Sequence, residues 1–273
     1  MSPFLRPRPV ADPELRLVAF HHAGGSGSAY FPLTHGLPPE WDLLLPDLPG
    51  RGRRHRSAPL HDLPTIVAQV VEDLLDWADV PLALFGHSLG AVVATETARS
   101  LTEIGRGPVW LGVSGRPAAG YRGPAASLPH EVSDDELMRH LVALGGMPDR
   151  IHEVPEFRTQ MLRLVRADLS ALTTYMPPVG RPPLDVPVTA FGGVDDTWAP
   201  PAAMAAWAME TVGPFRQRFF PGGHFHFLGA AFVGFTATLV AEIRSSVGPA
   251  AQPRSTSGVV TAGAASPGWR NPR

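Results

Sequence analysis

Short apolar segments alternate along the chain with longer segments in which apolar residues recur every three or four positions. The short segments are flanked by Gly, Pro or His, which is typical of buried strands. They predict six strands, at residues 15–20, 41–45, 82–85, 109–113, 188–191 and 215–220. The longer segments predict helices between these strands. Strands that alternate with helices favour an α/β fold whose mostly parallel sheet is covered by helices on both faces.

Three of the predicted helices lie between or after the strands of this sheet. One begins near Leu63 and places its apolar residues, from Ile66 to Leu75, on a single face. Another covers residues 89–104 and is ended by Gly105, and the last covers residues 230–247. The spacing of three and four between apolar positions is that of an amphipathic helix packed on a core.

The alternation stops between residues 115 and 186, where helices are predicted but no strand. Ser133 and Glu136 form a capping box at the start of one helix, which Gly145 ends, and a second helix covers residues 155–173. This stretch is either a packed helical hairpin or a lid inserted above the sheet. We divide the chain into a core of residues 1–114 and 187–247, a helical lid insertion of residues 115–186, and a tail of residues 248–273. The tail is rich in Gly, Ala, Ser and Pro, and we expect it to be disordered.

The sequence Gly-His-Ser-Leu-Gly at residues 86–90 matches the motif G-x-S-x-G. It follows the predicted strand 82–85 and opens the predicted helix 89–104, which is the context of a nucleophile elbow. Such a turn exposes a serine hydroxyl at the carboxyl edge of the sheet, beside the positive end of a helix. We therefore predict that Ser88 is a nucleophile, the alternative being a glycine-rich turn without a function.

A serine nucleophile needs a histidine base and a carboxylate that orients it, and in this layout the acid precedes the histidine along the chain. Asp195 and Asp196 follow the strand 188–191, and we favour Asp196; either could instead cap the next helix. His224 follows the strand 215–220 and two glycines, and it is the predicted base. His226 is the alternative base, although its two Phe neighbours indicate packing.

The oxyanion formed during acyl transfer needs two backbone N–H donors. One is expected from Leu89, directly after the serine, and the other from the glycine-rich loop at residues 20–27. A phosphate-binding loop is the alternative, but neither the Walker motif nor G-x-G-x-x-G is present. His21 and His22 could suggest a metal, yet no third ligand follows at a telling spacing, and we expect no metal.

Composition excludes several other classes of function. The chain has 273 residues, of which 44% are hydrophobic and 18% charged, enough apolar material for a sizeable core. Its net charge of −2 gives no basic excess for nucleic-acid binding. It contains no Cys and no Lys, which excludes disulfides, thiolate metal sites and Schiff-base chemistry. No apolar run is long enough to span a membrane and the first residues lack a signal segment, so we expect a cytoplasmic protein.

Taken together, the motifs resemble those of type II thioesterases of polyketide and non-ribosomal peptide synthases, members of the α/β-hydrolase superfamily. The resemblance covers residues 16–245 and rests on several segments. These segments are His-Ala-Gly-Gly at 22–25, Pro-Gly-Arg within 46–54, the elbow at 86–90, Ser-Gly-Arg at 114–116, the lid helices with 166–168 and Tyr175, and the acid and histidine segments at 192–196 and 222–225. The family usually has Pro where His21 stands.

The resemblance implies a catalytic triad of Ser88, Asp196 and His224, with the amides of Ala23 and Leu89 as the oxyanion hole. It implies hydrolysis of acyl groups from the phosphopantetheine arm of acyl or peptidyl carrier proteins, which removes aberrant or stalled units. The enzyme would need no cofactor of its own and would act as a monomer, without nucleic-acid or membrane partners. The basic residues of one loop are candidate contacts for an acidic carrier protein, unless the loop is merely solvated. These are Arg51, Arg53 and Arg54.

Three other functions share the same residues. A carboxylesterase or lipase would use the same triad on free esters, and the lid and the His-Ala-Gly-Gly segment favour the thioesterase over it. In an acyltransferase or cyclase, a nucleophile other than water would resolve the acyl-enzyme. A hydrolase fold without activity would act as a binding module, which the complete set of Ser, Asp and His in the expected order argues against.

Overall fold

The computed structural model of this chain describes residues 2–121, 131–146 and 154–247. The predicted tail, residues 248–273, lies outside the described residues. Seven strands form one sheet. They are β1 (Phe4–Leu5), β2 (Leu15–Phe20), β3 (Trp41–Pro46), β4 (Leu82–His87), β5 (Trp110–Ser114), β6 (Val188–Gly193) and β7 (Phe215–Phe220).

The sheet order is β1-β3-β2-β4-β5-β6-β7, and every neighbouring pair is parallel except β1 with β3. The mostly parallel sheet predicted from the sequence is therefore confirmed, and all six predicted strands are present. Strand β1 was not predicted, because two residues are too few to give a periodic pattern. Every residue of β2 to β6 is buried, which explains why these strands read as continuous apolar runs.

Six helices accompany the sheet within the described residues. They are α1 (Leu63–Leu74), α2 (Leu89–Glu103), α3 (Asp134–Leu144), α4 (Pro155–Thr174), α5 (Pro201–Met204) and α6 (Ala231–Val247). The ends of two of them follow from single residues. Ser133 accepts a hydrogen bond from the amide of Glu136 at 3.3 Å and so caps α3, and Gly145 ends that helix in a left-handed conformation with φ of 80°.

Two apolar cores lie on opposite faces of the sheet, because successive residues of each strand point to opposite faces. Val18 and Leu84 belong to the core beneath α1 and α2. Leu17 and Phe85 belong to the other core, which α6 covers. The helices on both faces leave the carboxyl edge of the parallel strands as the place where loops can form a site.

Helices α3 and α4 lie between β5 and β6 in the chain and cover this carboxyl edge. Helix α4 packs against α2 and turns buried residues such as Leu162 and Val165 toward the core. No helix in the described ranges is long and apolar enough to cross a membrane.

Candidate active site

The turn between β4 and α2 places Ser88 at the carboxyl edge of the sheet. Ser88 has φ of 56° and ψ of −114°, and it is the one non-glycine residue with positive φ in the described part of the chain. The turn is tight because the glycines on either side have no side chain: a Cβ on Gly86 would lie 1.9 Å from the Gly90 carbonyl oxygen. A Cβ on Gly90 would lie 2.1 Å from the Phe20 carbonyl oxygen. This is the strained strand-to-helix turn predicted from the motif.

The amide of Leu89 is one of the two predicted oxyanion donors. Leu89 is the first residue of α2, so its N–H has no acceptor within the helix. The neighbouring amide of Ser88 donates instead to the carbonyl oxygen of Ser114 at 2.8 Å, which fixes the turn against β5. The positive end of α2 therefore lies directly beside the Ser88 hydroxyl.

His224 and Asp196 are hydrogen-bonded to each other, with Nδ1 of His224 3.0 Å from Oδ2 of Asp196. Both side chains are buried. The other oxygen of Asp196 accepts from the amides of Trp198 at 2.8 Å and Ala199 at 3.2 Å. Burial opposes ionisation of Asp196, but the His224 hydrogen bond and these amides hold its pKa below the ordinary value. Asp196 is thus an ionised carboxylate that orients the imidazole of His224.

The two loops that carry this pair approach each other through glycines. A Cβ on Gly193 would lie 2.2 Å from the carbonyl oxygens of Gly222 and Gly223. The amide of Asp195 donates to the Gly222 carbonyl at 3.0 Å, while the residue itself is exposed. Asp196, and not Asp195, therefore contacts the histidine, as the sequence analysis favoured.

The alternative base, His226, is buried away from the cavity. Its ring stacks on Phe220 with centroids 5.5 Å apart, and Phe235 lies 6.0 Å away. Burial lowers its pKa to about 4. His226 is therefore a neutral packing residue in this structure.

The second predicted oxyanion donor, Ala23, lies in a loop whose peptide planes are fixed by hydrogen bonds. The carbonyl oxygen of His22 accepts from Nδ1 of His21 at 2.9 Å and from the amide of Gly25 at 3.0 Å. Because a trans peptide points its N–H opposite to its C=O, these bonds turn the Ala23 N–H to the other side. Ala23 lines the cavity that Ser88 and His224 also line.

Sequence reasoning missed the role of His21 in this loop. Its ring is buried, and Nε2 faces the amide of Leu48 at 3.5 Å. Burial and the charge of Arg51 lower the pKa of His21 to about 3, so the ring is neutral and donates from Nδ1. The departure from the family's proline at this position was the available signal, but it did not reveal the hydrogen bond.

Arg51 was one candidate contact for a carrier protein, with a solvated loop as the alternative, and the structure fits neither because the side chain is buried. Its side chain is 3% exposed and forms two hydrogen bonds with the buried carboxylate of Asp168, at 2.6 and 2.8 Å. Asp168 also accepts from the amide of Gly24 at 2.7 Å. The sequence could not reveal a partner on α4, 117 residues away. The signal was Asp168 itself, a charged residue on the apolar stripe of α4, which needs a partner when buried.

The other two arginines of the loop differ from Arg51. Arg54 is half-buried and pairs with Asp73 of α1 at 2.5 Å. Arg53 is exposed, and its amide donates to the buried Asp47 at 2.9 Å. Arg53 is therefore the one member of the predicted set whose charged group is free to meet a partner protein at the surface.

A cavity of about 580 Å³ opens above Ser88. Part of its lining consists of Ser88, His224, Phe225 and the loop from His22 to Ser26. The insertion supplies the apolar wall, which consists of Leu141, Leu144, Phe157, Met161, Leu164 and Val165. A serine, a histidine paired with a carboxylate, and the candidate oxyanion donor Ala23 therefore border a single apolar cavity, an arrangement that suits acyl transfer.

Other histidines surround His224. The ring of His87 lies 4.7 Å from that of His224, and its Nδ1 is 2.9 Å from the hydroxyl of Ser114. Burial and the neighbouring histidines hold the pKa of His87 well below its ordinary value, and the pKa of His22 is lowered to about 3.

Within the described ranges, no three His, Cys, Asp or Glu side chains come together as a metal site.

Comparisons with a family model and with known proteins point to the same family. The model of the Thioesterase domain family matches residues 15–241. The gramicidin S biosynthesis protein GrsT of Aneurinibacillus migulanus is 34% identical over 214 residues, which are 78% of this chain and 82% of that protein.

Solved structures agree with this match. The RedJ thioesterase from the prodiginine biosynthetic pathway in Streptomyces coelicolor is 37% identical, with a TM-score of 0.77 over 86% of this chain and 91% of that one. BorB, the type II thioesterase from the borrelidin biosynthetic cluster, is 34% identical, with a TM-score of 0.79 over 88% of this chain and 97% of that one. The sheet and its covering helices are those of an α/β-hydrolase fold.

Proposed function

Because this chain belongs to the thioesterase family, whose members hydrolyse thioesters, we propose that it releases acyl groups from the phosphopantetheine arm of carrier proteins. The acyl groups would be aberrant or stalled units in polyketide or non-ribosomal peptide synthesis. The observation that carries the proposal is the grouping of Ser88, on its strained turn, with the bonded pair of His224 and Asp196 at the same cavity.

In the first step, Ser88 Oγ attacks the thioester carbonyl carbon while Nε2 of His224 accepts the hydroxyl proton. Asp196 holds the Nδ1–H of His224, so Nε2 is the free basic nitrogen, and the carboxylate stabilises the imidazolium. The amides of Ala23 and Leu89 bind the oxyanion of the tetrahedral intermediate. The carbon–sulfur bond then breaks and His224 returns its proton to the departing thiolate, which leaves an ester on Ser88.

In the second step, water replaces the thiol. His224 removes a proton from this water as it attacks the ester carbonyl, and the same two amides bind the second oxyanion. Collapse of the intermediate returns the proton to Ser88 and releases a carboxylic acid. Every group in this scheme comes from one chain, so the scheme calls for neither a second protomer nor a cofactor, and a monomer would suffice.

The proposed partner is a carrier domain of a synthase, and the proposed location of both is the cytoplasm. Two kinds of evidence support a carrier domain. The names of GrsT, RedJ and BorB assign each of those proteins to a biosynthetic pathway or cluster. The exposed Arg53, beside the loop that borders the cavity, offers a positive charge to an acidic carrier.

The test is the loss of the acyl group from an acyl-phosphopantetheinyl carrier protein, followed by intact mass. We expect fast release that exceeds hydrolysis of a simple aryl ester. Ser88→Ala should abolish release and leave the fold unchanged, and Ser57→Ala, at an exposed serine outside the cavity, should have no effect.

Two outcomes would contradict the proposal. Cleavage of the aryl ester with an untouched acyl-carrier would indicate a general esterase. Release that persists in Ser88→Ala would remove Ser88 from the mechanism.

A further inference from the structure

One polar side chain of the cavity, that of His22, has no role in the mechanism and no hydrogen-bond partner within the described ranges. Apart from Ser88 and His224, the cavity is lined by five further polar side chains that are bonded to the protein, and by His22. Arg51 is hydrogen-bonded to Asp168, Gln160 to the Gly50 carbonyl oxygen and His55 to the Gly52 carbonyl oxygen. The remaining two, Ser26 and Ser28, are hydrogen-bonded to each other. Neither ring nitrogen of His22 has a hydrogen-bond partner among the residues that the structure describes.

The ring of His22 is held in one place by its surroundings. It packs edge-on against the ring of Phe225, with centroids 4.8 Å apart. It also lies close to Gly25, where a Cβ would come within 3.0 Å of the ring atoms Cε1 and Nε2. A polar ring fixed in this way is already oriented, so it can bind a ligand atom without a further loss of side-chain entropy.

The position of His22 in the chain places it near the reacting carbonyl group. It directly precedes Ala23, whose amide is the proposed donor to the thioester oxygen. Phe225 directly follows His224, so the contact between Phe225 and His22 joins the two sides of the site. Because His22 lines the same cavity as Ser88 and is the chain neighbour of the proposed oxyanion donor Ala23, we infer that the first carbons of an acyl group on Ser88, rather than its far end, lie within reach of His22.

The His22 ring can both donate and accept a hydrogen bond. Its pKa of about 3 keeps it neutral at ordinary pH, chiefly because burial disfavours the charged form. A neutral imidazole has one N–H donor and one acceptor nitrogen. Polar groups in a largely apolar cavity lose free energy unless they are paired, so a substrate group that pairs with His22 is favoured over one that does not.

We propose that His22 is a specificity residue that selects acyl groups with a hydroxyl or oxo group at the third carbon. Its ring would hydrogen-bond this oxygen, while the apolar wall of the insertion holds the rest of the chain. The inference rests on the proposed function, because it names the class of acyl group that the same site prefers. His22 takes no part in proton transfer, since His224 and Asp196 already perform it.

The experiment is a competition between two substrates in one reaction. Equal amounts of 3-hydroxybutyryl- and butyryl-phosphopantetheinyl carrier protein are mixed with the enzyme, and both are followed by intact mass. We expect the wild-type enzyme to release the hydroxylated group about tenfold faster, the value of a single hydrogen bond. The ratio of the two rates does not depend on how much of the enzyme is folded.

Two variants separate the hydrogen bond from the shape of the ring. His22→Phe keeps an aromatic ring against Phe225 but has no nitrogen, and we expect the ratio of hydroxybutyryl to butyryl release to fall to about one. His22→Gln has a donor and an acceptor of similar reach, and we expect it to retain most of the preference. The pH profile should be the same in all three proteins, because His22 stays neutral across the assay range.

Several results would overturn the proposal. A wild-type ratio near one would do so without any variant, and so would an unchanged ratio in His22→Phe. Equal losses on both substrates in His22→Phe and His22→Gln would assign His22 a structural role instead. Failure of the proposed function looks different, because then the wild-type enzyme releases neither group in a Ser88-dependent way.

Discussion

Ser88 and the two glycines around it show how strongly a few backbone atoms constrain this site. Ser88 adopts a conformation that costs an L-residue free energy, of the order of 1–3 kcal/mol, and the packing of α2 on β2 and β4 maintains it. Gly86 and Gly90 make that packing possible because backbone atoms occupy the space where their side chains would lie. Ser88 can therefore take its position only because the residues two before and two after it, Gly86 and Gly90, have no side chains.

Gly90→Ala should destabilise the protein by more than about 2 kcal/mol, since the new methyl group meets the Phe20 carbonyl and neither backbone segment can move easily. Gly234→Ala is the matched control. Gly234 lies within α6 with open space around it, so alanine should stabilise that helix by about 0.5–1 kcal/mol. Urea unfolding of both variants measures these changes. Equal stabilities for the two variants would show that the turn at Gly90 tolerates a side chain.

Asp196→Asn should lower kcat by about 10⁴-fold, because an amide in place of the carboxylate favours the wrong tautomer of His224. Asp195→Asn, one residue away and exposed, should change kcat by less than about twofold. Both variants are compared by thioester hydrolysis at saturating substrate, with circular dichroism to check the fold. A severe defect in Asp195→Asn and a mild one in Asp196→Asn would reverse our assignment of the acid.

At the scale of elements, the buried pair of Arg51 and Asp168 joins three parts of the chain. Asp168 belongs to α4, Arg51 to the loop after β3, and Gly24, which also donates to Asp168, to the loop of the proposed oxyanion hole. A buried ion pair contributes little compared with apolar residues of the same shape, but loss of one partner leaves an uncompensated charge. The position of α4 against the two loops therefore depends on both partners of the ion pair being present.

Asp168→Ala should lower the free energy of unfolding by about 3–5 kcal/mol, because Arg51 remains buried without a counter-charge. Asp135→Ala, which removes an exposed ion pair with Arg158 in the same insertion, should have little effect. Thermal and urea unfolding measure both changes, and the double variant with Arg51→Met should recover part of the loss. An Asp168→Ala protein as stable as the wild type would show that Arg51 finds water or another partner.

The sequence predicts elements better than it predicts partners. Continuous apolar runs identify the buried strands because each such strand contacts helices on both faces, and the resemblance to thioesterases is confirmed by relatives that match most of the chain. The order of Ser88, Asp196 and His224 indicates which loops meet at one edge. The fate of Arg51 could not be predicted, because a basic residue in a loop looks the same whether it faces solvent or a carboxylate on a distant helix.

At the scale of the whole molecule, four histidines other than His224 are held neutral by the fold. They are His21, His22, His87 and His226, and burial is the first cause of the lowered pKa in each. In the unfolded chain each has an ordinary pKa near 6.5. Below that pH the unfolded state binds protons that the folded state does not, so acid favours unfolding.

Stability should therefore fall steadily as the pH is lowered from about 6.5 toward 4, by up to about 1.4 kcal/mol per pH unit for each of these histidines. Urea unfolding at pH 7.5, 6.5, 5.5 and 5.0 measures this dependence. His226→Phe keeps the stacking on Phe220 and should stabilise the protein. It should also reduce the dependence of the unfolding free energy on pH by at most the contribution of one histidine, about 1.4 kcal/mol per pH unit. A slope equal to that of the wild type would mean that His226 takes up its proton in the folded protein as well.

The buried carboxylate on α4 also bears on how a substrate enters. Asp168 lies in the second half of that helix and is bound to the sheet side of the molecule through Arg51 and Gly24, so this half of α4 cannot lift without breaking three hydrogen bonds. The apolar wall of the cavity, by contrast, includes Phe157 in the first turn of α4 and Leu141 in α3. If the cavity widens while these three hydrogen bonds hold, the Asp168 half of α4 stays in place and the movement is confined to α3 and the first half of α4, so an acyl chain would arrive from that side.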